Sequence, residues 1–477
     1  MIPNIHWNLI SLETTITAVL ALFILLDILI GKTQKDWMGN LSLVALFAMI
    51  LMWFRGDHIW GQMFSGMYIV DSLAWFFKGF FLLTMFFVLV MTQQFFRSLE
   101  QRKDEFYLLL WLALLGMLLI ASSADFLLLF ISIEILTVSL YVMTAYLKRD
   151  KHSIEAGMKY LILGALASGL FLYGISFLYG AAHSTRFVVI QQFVADQPTN
   201  PMLLFGFVLI FSAIGFKIAS VPFHLWVPDV YQGAPTPVTA LLSVGSKAAG
   251  FVILLRLLFG VFAPLHDHLT LILAILSAVT MCYGNLAAIP QKNIKRLLGY
   301  SSIGHAGYLL MGAAAGSTLG AAAITFYLLG YLFTNLGAFL VIVLYFVVSK
   351  NDEISDYSGL SQRSPLLACA LFLALMSLAG IPPMAGFFGK FSLFIAAVQN
   401  GLVWLAFVGA ANVIISLYYY LMVVKRIYID PPISAYPISV SWPVRLTLWL
   451  AMAGMIGIGI FQGPFLDIAL AAVKGMF

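Results

Sequence analysis

Charge is what this sequence has least of. Only 9% of its 477 residues are Asp, Glu, Lys or Arg, while 62% are hydrophobic. No soluble globular domain has that balance, and a disordered chain would be polar rather than apolar. Cysteine is nearly absent. Cys282 and Cys369 both lie in apolar runs, with neither metal-ligand spacing nor a disulfide framework. No Walker, CxxC, zincin or haem-attachment signature occurs, so the chain does no redox chemistry alone. Gly457, Gly459 and Gly463 nearly spell a dinucleotide fingerprint, but they sit in an apolar run with no strand before them, where close helix packing is the better reading. His266 and His268 flank Asp267 in a loop and read as solvated.

What is present is a series of apolar runs of helical length, which predicts an all-α polytopic membrane protein; a barrel would need shorter alternating segments. About fourteen helices are expected, at roughly 8–30, 39–54, 70–95, 105–121, 125–147, 154–181, 201–230, 237–261, 269–289, 295–314, 318–348, 364–397, 401–424 and 444–472. The net charge of +5 does not point to nucleic acid, because the basic residues cluster in short loops. Odd-numbered loops hold Lys32, Lys35, Arg97, Arg102, Lys103, Lys148, Arg149, Lys151, Lys292, Lys295, Arg296, Lys350, Arg363, Lys425, Arg426 and Arg445; even-numbered loops and the tail hold only Arg55, Arg186 and Lys474. The positive-inside rule then places both termini outside. Met1 leads straight into the first span, without a cleavable signal. The polar stretches near 182–200 and 349–363 read as ordinary loops, so the chain is one membrane domain: helices one to three in 1–104, blocks at 105–261 and 269–424, and a last helix at 444–472.

Against this background five lysines and one glutamate stand out. Lys78, Lys159, Lys217, Lys247 and Lys390 lie within apolar runs, as does Glu134. A charge near a bilayer centre costs roughly 2.5–3.5 kcal/mol on insertion scales, so such groups are functional candidates by default. In GFKIASVPFHLWVPDVYQGAPTPV, Pro222 and Pro228 each remove a backbone donor and predict a broken helix, with Lys217 and His224 flanking the break. The alternative is a kinked packing helix with a snorkelling lysine. SLAGIPPMAGFFGKF predicts a second break at Pro382 and Pro383, followed by Lys390. The two breaks fall in similar places of two five-helix blocks, helices 4–8 and 9–13, that start on opposite sides of the membrane, as inverted repeats around a transport path would.

Glu134 lies about nine residues, or roughly 13 Å, into its helix. It needs a cation, and Lys217 is the expected partner; a purely structural ion pair is the alternative. Lys247 follows Gly245 and Ser246, small neighbours that leave room for water. His305 has Tyr300, Ser301, Ser302 and Tyr308 around it, which suits a proton relay as well as a satisfied core histidine. Lys159 is four residues after Glu155 and can be an exposed i, i+4 pair. Lys78 can snorkel.

The runs VPFHLWVPDVYQGAPTPV, KRLLGYSSIGHAGY and SLAGIPPMAGFFGKF resemble the antiporter-like membrane subunits of respiratory complex I, the N type of bacterial proton-pumping NADH:quinone oxidoreductase most of all. The resemblance covers essentially the whole chain. The long lateral helix of the L type is missing after the last spans, the M type usually has glutamate where Lys390 stands, and sodium/proton antiporter subunits usually read WLPDA where this chain reads WVPDV. The resemblance implies a proton-translocating subunit in a bacterial inner membrane. It implies Glu134, Lys217, Lys247 and Lys390 as translocation residues, with Lys159, His224 and His305 in matching positions of less definite role. FMN, iron–sulfur clusters and quinone would belong to partner subunits, and K-, A-, J- and M-type membrane subunits would be neighbours. A subunit of a multisubunit cation/proton antiporter is the alternative, and a structural spacer a third reading.

Overall fold

The computed structural model describes residues 7–30, 37–55, 60–97, 99, 104–432 and 437–476. Lys32, Lys35, Arg102 and Lys103 of the loop tally lie outside these residues, as does Met1. The described chain is almost wholly helical. Helices α1 (Ser11–Ile30) and α2 (Trp37–Arg55) lead to a short hairpin, β1 (Gly61–Met63) with β2 (Tyr68–Val70). Then come α3 (Ser72–Arg97), α4 (Asp104–Ser122), α5 (Phe126–Thr144), α6 (Lys151–Ala182), α7 (Phe187–Asp196), α8 (Pro201–Ile218) and α9 (Val227–Gly233). One span over Thr236–Val261 follows; it contains α10 (Thr236–Leu241), a π-helical turn at Leu242–Ser246, α11 (Lys247–Leu255) and a second π turn at Arg256–Val261. The second half has α12 (His266–Ala288), α13 (Ile294–Ala314), α14 (Thr318–Ser349), α15 (Leu360–Arg363), α16 (Pro365–Ala379), α17 (Ala385–Gln399), α18 (Val403–Tyr428), α19 (Trp442–Ile460) and α20 (Gln462–Val473).

Twelve of the described helices are long and apolar enough to cross a membrane. Two of the expected spans fall outside that set. The 295–314 run coincides with α13, whose Ser, Gly, His and Tyr lower its hydropathy, and 364–397 is divided between α16 and α17. The 182–200 stretch is not a plain loop, because it contains α7, which buries Phe187, Ile190 and Val194 at helical spacing. The last helix is interrupted at Phe461.

The span Thr236–Val261 is buried along its most apolar stretch, and α3 and α14 are buried for most of theirs. Helices α1, α2, α6 and α18 instead expose apolar rows such as Leu25, Ile28 and Leu29. That arrangement, polar backbone satisfied inside helices and apolar side chains outward, suits hydrocarbon rather than water. Lys295 and Arg363 are buried rather than loop-exposed, and Lys295 Nζ pairs with Asp352 Oδ2 at 2.8 Å.

Candidate functional site

Both expected breaks occur, and they end their helices alike. α8 starts with Pro201 at its first turn and α16 with Pro365, positions that need no N–H. α8 stops at Ala219, left-handed at φ 63°, and α16 at Gly380, left-handed at φ 86°. Ser220 N–H then donates to Gly215 O at 2.9 Å, and Ile381 N–H to Met376 O at 3.0 Å, the Schellman closure of an α-helix. The first break lies ahead of Pro222, since a residue before proline avoids the helical region. Pro228 does not break anything; it lies in the first turn of α9. The lysines differ in placement. Lys217 is in the last turn of α8, before its break, whereas Lys390 follows its break, in α17.

Lys217 and Glu134 line one cavity of about 30 Å³, with Thr137, Tyr141 and Ser168. Ser168 Oγ donates to Glu134 Oε1 at 2.5 Å. Lys217 Nζ is buried without a hydrogen-bond partner among the described residues, and so is Tyr141 OH. The two charged groups therefore face each other's cavity without closing the expected ion pair.

The stem of Lys217 passes close to the helix that carries Lys247. A Cβ on Gly250 would lie 3.3 Å from Lys217 Cγ, and Gly250 is three residues beyond Lys247, so α8 and α11 meet where both lysines are carried. Lys247 Nζ donates to Ser302 O at 2.6 Å and to Ser302 Oγ at 2.9 Å. It follows immediately on the first π turn, a helix defect that is common at functional sites.

α13 carries the polar groups onward. Ser301 Oγ hydrogen-bonds Tyr420 OH, and His305 Nε2 is 3.2 Å from the same hydroxyl. His305 Nδ1 hydrogen-bonds Tyr327 OH. Lys390 Nζ stands 4.8 Å over the Tyr308 ring and donates to Leu378 O at 2.8 Å and Ala379 O at 3.1 Å. These are last-turn carbonyls of α16, which a helix end leaves without amide partners.

Three sequence candidates lie elsewhere. His224 packs against Tyr283, ring centroids 4.2 Å apart, with neither nitrogen hydrogen-bonded among the described residues. Lys159 does not line the Glu134 cavity; it pairs with Glu155 and with Asp229, each at 2.7 Å, and Asp229 also pairs with Arg296 at 2.6 Å. Burial pushes the Asp229 carboxyl up, but the hydrogen bonds from Lys159 and Arg296 outweigh it and hold it below its ordinary value. Lys78 does not snorkel. It is buried against Glu13 at 2.8 Å.

Sequence reasoning passed over Arg256, although it stands in an apolar run by the same criterion as the lysines. Its guanidinium grips Asp71 at 2.8 and 3.0 Å and Ala121 O. Burial raises the Asp71 carboxyl, and Arg256 more than reverses this.

The family model described as NADH:quinone oxidoreductase/Mrp antiporter, TM, matches residues 123–416, which hold both breaks and all four residues from Glu134 to Lys390. The chain belongs to this family. Within it, the NADH-quinone oxidoreductase subunit N of Desulforamulus reducens is 40% identical over 96% of this chain and 98% of its own length. That of Heliobacterium modesticaldum is 42% identical over 98% and 99%. A chain in the structure of respiratory complex I from Thermus thermophilus with bound aureothin superposes with a TM-score of 0.82 at 31% identity, covering 96% of this chain and 98% of that one. A chain of the Mrp complex from Dietzia shares the fold, TM-score 0.86, at only 20% identity. The fold is thus common to oxidoreductase and antiporter members, and the sequence identity distinguishes them.

Proposed function

We propose that this chain is the proton-translocating N-type subunit in the membrane arm of an NADH:quinone oxidoreductase, with NADH oxidation and quinone reduction carried out in partner subunits. The observation that carries the reading is the row of buried basic groups, Lys217, Lys247, His305 and Lys390, whose first and last members flank two helix breaks, in a chain that aligns with N subunits over nearly its full length. A structural scaffold has no use for four desolvated basic groups.

Glu134 acts first. Its charge favours the ammonium form of Lys217; when that charge is neutralised or displaced, desolvation favours the neutral amine and a proton leaves. The cavity they share has room for about one water to bridge them. The proton passes to Lys247, then along the Ser302, Ser301, Tyr420 and His305 side chains of the α13 region to Lys390, which exchanges with the far side. Each charge moved works against about 2.3 kcal/mol per 100 mV of membrane potential. The two five-helix blocks are inverted repeats, the termini lie outside a bacterial inner membrane, and K-, A-, J- and M-type subunits are neighbours. FMN, iron–sulfur clusters and quinone belong to the partners.

The test is to purify the intact assembly from its native membrane by a tag on this chain. Co-purification of flavin and iron–sulfur subunits, with NADH-driven proton uptake in proteoliposomes, is expected. Recovery of small membrane subunits alone, with cation/proton exchange in the absence of NADH, would replace the reading by the antiporter one.

A further inference from the structure

The path from Glu134 to Lys390 leaves a buried ionisable cluster on α1 and α3 unused. Lys78 of α3 is 4% exposed and Glu13 of α1 is 6% exposed, with Nζ and Oε1 2.8 Å apart. Tyr68 of β2 touches both: its hydroxyl accepts from Lys78 Nζ at 2.7 Å and donates to Glu13 Oε1 at 2.9 Å. Burial first, and the Glu13 charge second, push the Tyr68 phenol far above its ordinary value, so the hydroxyl keeps its proton and can only relay. The other carboxylate oxygen, Glu13 Oε2, is buried without a hydrogen-bond partner among the described residues, and so is Ser122 Oγ.

This cluster borders the span of Lys247. Ser122 follows Ala121, whose carbonyl accepts from Arg256 Nε at 2.9 Å and Nη2 at 2.5 Å. Arg256 is nine residues beyond Lys247 on the same span, roughly 13 Å along it. Its partner Asp71 is three residues after Tyr68. An arginine stays protonated, so Arg256 supplies a fixed charge beside the cluster and carries nothing. Lys78, Tyr68 and Glu13 can carry. A proton passes from Lys78 Nζ to the Tyr68 oxygen as the hydroxyl proton passes to Glu13 Oε1, leaving a neutral amine, an unchanged phenol and a neutral acid. The amine is then free to bind the next proton, and the acid to release its own.

Stability does not explain the cluster. Replacing a buried ion pair with apolar side chains of similar volume is commonly neutral or stabilising. Apolar side chains could have filled both positions, as buried Leu12 and Ile16 do on α1 and Leu82 and Met85 on α3. An orphan carboxylate oxygen adds a cost that a purely structural pair would have no reason to keep.

We propose that Glu13, Tyr68 and Lys78 form a second proton-exchange site in this chain, serving the membrane face closed by the 61–70 hairpin. It rests on the proton-translocation reading above. Under the proposed topology that face is the outer one.

The experiment uses the intact assembly in proteoliposomes and reads protons moved per electron, with Lys247→Met as reference. The double variant Glu13→Leu/Lys78→Met removes both charges and keeps the volume. It is expected to assemble normally and to lose as much of the proton-to-electron ratio as Lys247→Met does. Should that variant fail to assemble, Glu13→Gln, which keeps the side-chain shape, reads the same quantity with the same expectation. Lys78→Arg, which keeps the charge but cannot release a proton, is expected to lose the ratio as well. A parental ratio in the double variant, in assembled Glu13→Gln, or in Lys78→Arg overturns the proposal, leaving a structural pair or a fixed charge. If Lys247→Met itself pumps like the parent, the translocation reading fails instead, and the two failures are told apart.

Discussion

Lys390 holds the end of α16 where Leu378 leaves it open: its ammonium lies 2.8 Å from the Leu378 carbonyl oxygen and 3.1 Å from that of Ala379. The cation occupies the negative end of a half-helix dipole. Lys217 lies within the last turn of its own half-helix, yet its ammonium has no partner among the described residues. One lysine is thus a cap as well as a charge, and the other is a buried charge alone.

That difference predicts opposite stability effects. Lys390→Met leaves buried carbonyls unpaired and should destabilise by about 1–3 kcal/mol. Lys217→Met removes an unpartnered buried cation and should leave stability equal or higher. Melting of the purified assembly, with subunit release as the readout, would show the Lys390 variant falling first. Equal losses in both variants would contradict the cap.

The breaks were legible from Pro222 and from Pro382 and Pro383, through the missing donor and the ring clash, whereas Pro228 stands in the first turn of α9, where neither matters. The row of lysines was legible because charge is so rare in this sequence. Their partners were not. Glu13 meets Lys78 and Asp229 meets Lys159 from remote helices, and no spacing rule reaches across such distances. The π turns before Lys247 and after Leu255 leave no mark in a hydropathy pattern. Helix α7 is only ten residues long and its apolar positions are few, so it hid in a polar stretch.

Asp229 ties the segment after the first break to both α6 and α13, through Lys159 and Arg296. The Lys159 side chain is 42% exposed, so its share should be small. Asp229→Asn and Arg296→Ala are expected to lower the amount of this chain in membranes to a similar degree, and Lys159→Ala much less. An immunoblot of membrane fractions checks the order; a loss in Lys159→Ala equal to the other two would make that lysine the anchor.

The proposed topology is open to a direct check. Single cysteines at Lys103, Lys151 and Lys292 should react with an impermeant maleimide only from the cytoplasm, and ones at Gln197 and His266 only from outside. One reversal within the set would break the assignment of loops to sides.

Glu134 is expected to act as a switch rather than a brace. Ser168, whose hydroxyl donates to Glu134, would still find an acceptor in glutamine, so Glu134→Gln should assemble normally. Proton uptake and the quinone reduction coupled to it should nonetheless fall, because an amide cannot bias the charge of Lys217. Vesicles pumping at the parental rate would rule the switch out.

Lys247 separates a proton station from a fixed charge most cleanly. Lys247 is 1% exposed, and its ammonium is held by Ser302, with no carboxylate paired to it among the described residues. A station needs a group that both takes and gives a proton. Lys247→Met removes that group and should stop transfer through this chain. Lys247→Arg keeps the positive charge but stays protonated, so rescue should be poor. Lys247→His titrates in the physiological range and should restore part of the activity. A fixed structural charge demands the reverse order, with arginine tolerated and histidine damaging. Coupled proton uptake in all three variants, normalised to subunit abundance, decides between them: arginine pumping like the parent while histidine fails would remove Lys247 from the path, and with it the link from α11 to His305 on α13.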